Sequence, residues 1–173
     1  ITWNGSSYEG FDQNGVPLFS RGGGASSEAM EDFFEFAEGQ TGIRRLDDRE
    51  DLRGECVSLV ARYVQQVFLP KNDYRRTRKY AVAYGDGWET AQTVANKFKE
   101  YFEPFTKPFT NRDLPKRGAV ISFPGRPGHT GIVMESKSKD GKRMVKILES
   151  NHDNQRAKSE VRISDWKNIE YAN

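Results

Sequence analysis

The sequence contains one cysteine, Cys56, among its 173 residues. A single cysteine can form neither an intrachain disulfide nor a cysteine-rich metal site, so the fold depends on its hydrophobic core. A fold without disulfides is stable in any redox compartment, and the cysteine content therefore does not indicate where the protein acts.

Long hydrophobic runs and a strong net charge are also missing. No apolar stretch approaches the roughly 20 residues that a membrane-spanning helix needs, and we expect no membrane contact. The 27 basic and 25 acidic side chains leave a formal charge of +2. That charge is too small to indicate nucleic-acid binding, and we expect no nucleic-acid partner.

The composition is that of a globular protein. Hydrophobic residues make up 35% of the chain, and aromatic residues, 12% of it, are spread along its length, which argues against disorder. The length suits one domain with one core. Residues 1–25 have no helical period and end in a glycine-rich stretch, so we predict an irregular arm or linker there and a folded domain over residues 26–173.

Two helices are predicted in the first half of this domain. Ser26 or Ser27 can cap the first, and Gly39 ends it. The second begins near Cys56 and ends before Pro70, with apolar residues on one face. Both have the amphipathic pattern of helices that pack on a core.

A third helix is predicted to begin at Asp86, which can form a capping box with Glu89. Apolar residues then follow a 3.6-residue period as far as Phe102. We assign Trp88, which falls in this period, to the core and not to a sugar-binding surface.

The apolar period changes to two in the last third of the chain. Strands are predicted over residues 119–123, 130–134, 144–148 and 161–163. Asp140-Gly141 is a turn signal between two of them. Helices followed by hairpin-linked strands predict an α+β domain with an antiparallel sheet.

Cys56 stands at the predicted start of the second helix. The positive end of a helix dipole stabilises a thiolate there. The unpaired N–H groups of the first turn can also receive an oxyanion. A lone cysteine is nevertheless more often a small core residue, so position alone does not make Cys56 a nucleophile.

His129 is one of only two histidines, the other being His152. It follows a turn rich in glycine and proline and opens an apolar strand, so its side chain is expected at a sheet edge. A histidine in a surface turn carries little weight alone. Together with Cys56, however, it supplies the parts of a Cys–His pair, in which the imidazole takes the thiol proton.

A third polar group should orient the imidazole. Glu149 and Asn151 lie at the end of the strand that is predicted to pair with the strand of His129. Alternate residues of a strand share a face, so these two side chains are expected on one side. Strand ends are also polar because they meet solvent, and Glu149 by itself agrees with either interpretation.

Four segments occur in a distinctive order: residues 54–57, 114–121, 128–133 and 149–151. The first holds Gly-Glu-Cys-Val, the second a Pro-x-x-Gly strand, the third Gly-His-Thr-Gly and the last Glu-Ser-Asn. Together they resemble the CHAP family, the cysteine- and histidine-dependent amidohydrolases and peptidases related to papain-like and NlpC-type enzymes. The resemblance covers roughly residues 40–170, and residues 26–173 are then a catalytic domain.

The resemblance implies a fold and a set of roles. The fold is papain-like, with a cysteine at a helix start packed on an antiparallel sheet that carries the histidine and the glutamate. The nucleophile, base and carboxylate acceptor fall on Cys56, His129 and Glu149, with Asn151 close by. No cofactor is implied. The activity is a Cys–His–Glu thiolate hydrolase that cuts an amide bond of peptidoglycan, as an amidase or an endopeptidase.

Two departures from the family pattern concern the residues before the nucleophile. Many relatives carry glutamine where this chain has Glu55, which puts side-chain help to the oxyanion in doubt. Some phage relatives bind calcium upstream of the cysteine. The corresponding Asp47, Asp48 and Asp51 could hold calcium through carboxylate oxygens, but Arg49 interrupts the pattern, and we favour a solvated acidic loop.

A zinc site is a weaker alternative. Cys56, His129, His152 and Asp153 include the right ligand types, but neither His-x-x-x-His nor Cys-x-x-Cys spacing is present. We therefore predict no metal.

The resemblance also sets expectations about biology. A phage lysin, a secreted antibacterial effector and a wall-remodelling enzyme all agree with it, and each acts at the cell wall from a secreted, periplasmic or virion-associated position. Peptidoglycan is the expected partner, joined by an immunity protein if the chain is a toxin, and we expect a monomer. Two alternatives stay open: a cysteine protease or deamidase acting on a protein, and a non-catalytic wall-binding or virion structural domain.

Overall fold

The computed structural model describes residues 2–3, 26–47, 51–103 and 114–169. Most of the predicted arm over residues 1–25 lies outside these ranges. The part that is described, Thr2–Trp3, is a short strand, β1, and not an irregular segment. In the described part of the chain, no helix has the length and apolar character needed to cross a membrane.

Helix α1, Ser27–Ala37, forms as predicted. The Ser26 hydroxyl caps it by accepting a hydrogen bond from the backbone N–H of Ala29 at 3.1 Å. The helix buries the predicted apolar face, which consists of Met30, Phe33, Phe34 and Ala37. Gly39 follows the helix with a φ of 84°, a left-handed conformation that glycine adopts readily.

Helix α2, Cys56–Tyr63, is the central helix and begins at the predicted residue. A π-helical segment, Val64–Phe68, continues it and ends before Pro70. Seven of the eight residues of α2 are buried, with Arg62 the exception. The helix packs against the second strand of the main sheet, so the start of α2 is fixed relative to that strand.

The third helix is shorter than predicted. A 3-10 turn, Gly87–Glu89, leads into α3, Thr90–Lys97. The predicted capping box is absent from the described residues, since the Asp86 side chain caps no backbone N–H there. Phe98 leaves the helical region, with φ −125° and ψ 51°. The chain then turns into strand β2, Phe102–Glu103, which pairs with β1.

The aromatic residues after α3 explain this early end. Phe98 and Phe102 are almost completely buried, although both lie beyond the end of α3. The ring of Phe102 lies 4.7 Å from the ring of Phe68, measured between centroids. From Ala91 onward the predicted apolar period therefore marked core residues correctly, but the last of them, Phe102, reaches the core from beyond the helix.

The main sheet has five antiparallel strands among the described residues. They are β3 (Val120–Phe123), β4 (His129–Lys139), β5 (Lys142–Glu149), β6 (Arg162–Ile163) and β7 (Lys167–Asn168). Their order is β3-β4-β5-β6, and β7 also pairs with β5. Each predicted strand is present, and the β4–β5 hairpin turns at Asp140 and Gly141.

The alternation of side chains along these strands divides the core. Val120, Ile132 and Leu148 belong to the larger cluster, which also contains the helices. Neighbouring residues such as Val133 and Ile147 belong to a smaller cluster. Ile132 is opposite Leu148 in the antiparallel register, so the first residue of β4 lies near the last residue of β5. An α+β papain-like fold is thus confirmed, with Cys56 at a helix start.

Candidate active site

Cys56 is the first residue of α2 and is 7% exposed. The turn before it depends on Gly54, which has a φ of 77°. A Cβ atom at that position would lie 1.8 Å from the carbonyl oxygen of Arg156. The segment 151–157, which we call the Asn151 loop, therefore packs directly on the backbone that presents the thiol.

The backbone of His129 is fixed by two glycines, Gly128 before it and Gly87 packed against it. His129 opens β4 directly after Gly128, whose φ is 72°. A Cβ atom on Gly87 would lie 2.9 Å from the Cα atom of His129, so the 3-10 turn before α3 packs closely on the histidine backbone. This contact needs a residue without a side chain at position 87.

The His129 imidazole contacts both of the other predicted groups. Its Nε2 atom lies 2.9 Å from Oε2 of Glu149. The ring also interacts with the Cys56 side chain, which raises the pKa of the imidazole. Since Nε2 is engaged by the carboxylate, Nδ1 is the nitrogen left for the sulfur. The structure thus joins Cys56, His129 and Glu149 in one chain of contacts.

The surroundings favour the protonated form of the imidazole. Burial lowers the pKa of His129, but the hydrogen bonds from Cys56 and Glu149 outweigh burial and raise this pKa from 6.5 to about 9. A histidine with such a pKa carries its proton at neutral pH. It can then pair with a thiolate and later donate the proton to a leaving group.

Glu149, the last residue of β5, is fully buried. Besides His129, two cations from the short strands contact it: Arg162 Nε lies 3.2 Å from Oε1, and Lys167 Nζ lies 3.3 Å from Oε2. Burial raises the pKa of Glu149, but the hydrogen bond with His129 and the charge of Lys167 outweigh burial and lower it. A buried carboxylate is stable here because its charge is paired.

Asn151 lies close to these residues but contacts a different group. Its side-chain Nδ2 donates to Glu55 Oε2 at 2.9 Å. Its Oδ1 accepts from the backbone N–H of Arg156 at 2.9 Å. The structure therefore places the amide of Asn151 between Glu55, which precedes the nucleophile, and the backbone of Arg156.

An open cleft of about 1110 Å³ contains this arrangement. Its lining includes the acidic residues Asp86 and Glu89 and the basic residues Arg156, Arg162 and Lys167. Cys56 and His129 line the same cleft. Such a volume admits a peptide-sized substrate with both acidic and basic substituents.

A family model described as "CHAP domain" matches residues 47–151, which is more than half of the chain and includes Cys56, His129 and Glu149. The chain belongs to the CHAP family. Comparison with curated proteins and with solved structures returned no match. CHAP membership implies an amidase or peptidase hydrolase that depends on cysteine and histidine.

The calcium site considered for this CHAP domain would use the carboxylate of Asp47, which already accepts hydrogen bonds from other side chains. Asp47 is buried and accepts hydrogen bonds from Arg45 Nε at 2.7 Å and from Gln65 Nε2 at 2.6 Å. Asp51 is exposed and lies 3.6 Å from Lys79 Nζ. Asp48 lies outside the described residues. The Asp47 oxygens are therefore turned to Arg45 and Gln65, which takes them away from a shared cation site.

The candidate zinc ligands do not come together into a metal-binding group in the described part of the chain. Among the described residues, no group of three or more histidine, cysteine, aspartate or glutamate side chains could hold a metal ion. His152 lines the cleft, but it does not form such a group with Cys56, His129 and Asp153.

The assignment of Trp88 to the core was wrong. Trp88 is 41% exposed, on the 3-10 turn that packs against His129. Its backbone N–H donates to the carbonyl of Pro127 at 3.3 Å, and its Cβ atom lies against Gly128. This turn packs on the segment before β4 through its backbone, and the side chain of Trp88 stays partly exposed to solvent.

Three cleft residues of the CHAP domain were not predicted from the sequence: Arg156, Arg162 and Lys167. Lys167 lies on β7, a strand of two residues that has no detectable period. Arg162 falls in a predicted strand, but nothing local connects it with Glu149. The contacts of Arg162 and Lys167 with Glu149 depend on strand pairing, and only an inferred pairing of the last strands with β5 could have indicated them.

Proposed function

We propose that this CHAP domain is a peptidoglycan hydrolase that cleaves an amide bond with Cys56 as nucleophile, His129 as acid and base, and Glu149 as the group that orients the imidazole. The observation that carries this proposal is the double contact of His129. One imidazole bridges a thiol at a helix start and a buried carboxylate, inside an open cleft.

The first half of the reaction forms a thioester. The Cys56 thiolate, paired with the His129 imidazolium, attacks the amide carbonyl carbon, and the carbonyl oxygen takes the negative charge. The backbone N–H of Cys56, in the first turn of α2, donates to this oxyanion. Nδ1 of His129 then gives its proton to the amide nitrogen, the C–N bond breaks, and the amine leaves.

The second half releases the acid. The neutral imidazole takes a proton from water, and the resulting hydroxide attacks the thioester carbonyl. The C–S bond breaks, the carboxylic acid leaves, and the thiolate–imidazolium pair is restored. Glu149 stays ionised throughout and keeps Nε2 protonated, so Nδ1 is the nitrogen that exchanges protons.

The charges of the cleft support a peptidoglycan stem peptide as the substrate. Stem peptides carry free carboxylates and, in the diamino acid, an amine. The cleft is lined by the basic residues Arg156, Arg162 and Lys167 and by the acidic residues Asp86 and Glu89. Charges of both signs in one cleft favour a peptide that carries both signs.

Digestion of purified sacculi tests this function. We expect the active protein to release soluble muropeptides, which mass spectrometry identifies, and the new termini distinguish an amidase from an endopeptidase. Cys56→Ala should abolish release while remaining folded. A matched control is Ser58→Ala on the same helix, which removes a hydroxyl that donates to the carbonyl of Leu52 in the turn before the helix.

Other results would redirect the proposal. Release by Cys56→Ala equal to that of the native protein would contradict the nucleophile. No release by a protein whose Cys56 reacts readily with iodoacetamide would favour a protein substrate, as in a cysteine protease or deamidase. Binding to sacculi without release, together with an unreactive thiol, would favour a wall-binding or structural domain.

The proposed substrate also sets where the protein works. An enzyme that cuts peptidoglycan acts from a secreted, periplasmic or virion-associated position. If it serves as a toxin, the producing cell needs an immunity protein, and the cleft around Cys56 is the surface that such a partner would occupy.

A further inference from the structure

Glu55 puts a carboxylate immediately before the proposed nucleophile. It is the last residue before α2, and its side chain lines the cleft. A negative charge at this place disfavours both a thiolate on Cys56 and an oxyanion at the first turn of α2. The chain therefore carries, beside its reacting atom, a charge that opposes the proposed reaction.

The Asn151 loop supplies a donor to each oxygen of that carboxylate. Arg156 Nε lies 2.8 Å from Glu55 Oε1. Asn151 Nδ2 donates to Glu55 Oε2 at 2.9 Å. The arginine contributes a full positive charge, and a charge-assisted hydrogen bond is stronger than a neutral one. Both oxygens of the Glu55 carboxylate are thereby held on the loop.

The loop is built to keep these donors in place. The backbone N–H of Arg156 donates to Oδ1 of Asn151, which links the two donor residues. Ser150 Oγ donates to the carbonyl of Gly54 at 2.7 Å and ties the loop to the turn before α2. Asn151, Asn154 and Arg156 have φ values of 56°, 59° and 51°. Such conformations cost free energy and persist where the surroundings hold them.

We propose that Arg156 and Asn151 are positioning residues that hold the Glu55 carboxylate on the Asn151 loop and keep it from approaching Cys56, so that Cys56 can react as a thiolate. The inference rests on the nucleophile assigned to Cys56 in the proposed function. It gives Asn151 a role through Glu55, and it explains how a chain with glutamate before its cysteine keeps that cysteine reactive.

Folding alone does not account for the Arg156 contact. The Arg156 side chain is 71% exposed and that of Glu55 is 20% exposed. Ion pairs with an exposed partner contribute little to stability, because water screens them. A change in Cys56 reactivity on removal of Arg156 therefore reports on charge near the thiol.

The test is the rate at which iodoacetamide alkylates Cys56 in the intact protein at neutral pH. The variants are Arg156→Gln, Glu55→Gln and the double variant. In the native background, Arg156→Gln should slow alkylation about tenfold, since it releases the Glu55 carboxylate, which can then approach the thiolate. In the Glu55→Gln background the same substitution should change the rate by less than about twofold.

Two further variants sharpen the comparison. Asn151→Gly removes the amide and keeps the positive φ accessible, and it should slow alkylation about threefold, again only while Glu55 is present. Lys158→Gln is the matched control. It removes the same charge two residues along the same 3-10 turn, Arg156–Lys158, and should leave the rate unchanged.

Equal slowing by Arg156→Gln in both backgrounds would overturn the proposal, because Arg156 would then act without Glu55. No slowing in either background would overturn it as well. The assay uses no wall substrate, so its result is separate from the proposed function. A native protein that releases muropeptides but shows no coupling between Arg156 and Glu55 keeps the function and loses this inference.

Discussion

His129 Nε2 lies 2.9 Å from Glu149 Oε2, and the carboxylate is completely buried while the imidazole is 22% exposed. The contact joins the first residue of β4 to the last residue of β5. Lys167 Nζ reaches the same carboxylate oxygen at 3.3 Å. A cation and the imidazole therefore share one acceptor, so the protonation of His129 can be shifted in either direction by substitutions on the sheet.

The first prediction concerns the alkaline limb of the pH profile, the range in which activity falls as the pH rises. His129 must carry a proton to donate to the leaving amine, and its pKa is raised to about 9. The imidazolium is therefore present below this pH and is lost above it. We expect kcat/KM for a soluble muropeptide to fall with a midpoint near pH 9. A midpoint near that of a free histidine, about pH 6.5, would contradict the coupling to Cys56 and Glu149.

The second prediction is the effect of Glu149→Gln. Glutamine keeps a hydrogen-bond acceptor but removes the negative charge that stabilises the imidazolium. The alkaline limb should move to lower pH by roughly one unit, and kcat/KM should fall on the order of a hundredfold. Glu135→Gln, an exposed change on β4, is the control and should leave the profile in place. An unshifted limb in Glu149→Gln would show that the carboxylate does not act on His129.

The third prediction is a shift of the alkaline limb in the opposite direction. Lys167→Met removes the cation that competes for Glu149 Oε2, so the imidazolium is stabilised and the alkaline limb should move to higher pH. The lysine is partly exposed, and the shift should be smaller than that of Glu149→Gln. Lys139→Met, at the exposed end of β4, is the matched control. A shift to lower pH would contradict the shared acceptor.

The fourth prediction concerns Asp47. Its Oδ2 atom accepts from the backbone N–H of Tyr80 at 2.5 Å and from Arg45, which is also buried. Asp47→Ala leaves the Arg45 guanidinium buried and unpaired, which should cost about 3–5 kcal/mol of unfolding free energy in urea denaturation. Asp51→Ala, on an exposed side chain, should change stability by less than about 0.5 kcal/mol.

Calcium provides a second measurement on the same carboxylate. Because the Asp47 oxygens already accept hydrogen bonds, we expect the Tm of the native protein to be the same in calcium and in a chelator. A large rise in Tm with calcium would show that this acidic segment rearranges to bind the ion, since a ligand that binds only the folded state stabilises it.

The fifth prediction tests the close packing before the nucleophile. Gly54→Ala and Gly141→Ala introduce the same methyl group at similar φ values, 77° and 72°. At Gly141 nothing lies within 4 Å, so the cost should be that of the backbone, about 1 kcal/mol. At Gly54 the new atom meets the Arg156 carbonyl, so the Asn151 loop must move. We expect a larger loss of stability there, together with slower alkylation of Cys56.

Local signals in the sequence were sufficient for most of the fold. The cap at Ser26, the helix start at Cys56 and the turn at Asp140 and Gly141 all lie where they were predicted. Such signals act within a few residues, so they can be recognised without knowledge of the rest of the chain. The predicted end of the third helix was wrong because the apolar period continued past Phe98. The chain turns there, and Phe102 packs against Phe68 from beyond the helix.

By itself, the sequence determined which side chains are capable of the chemistry: a thiol at a helix start, a histidine at a strand start and a carboxylate at a strand end. The tertiary structure alone decided which charges meet. It directed Asn151 to Glu55, brought Arg162 and Lys167 to Glu149, and turned Asp47 toward Arg45. Periodicity sets the face on which a residue lies, but pairing between distant strands and packing between loops set its neighbours, and those neighbours set its charge state.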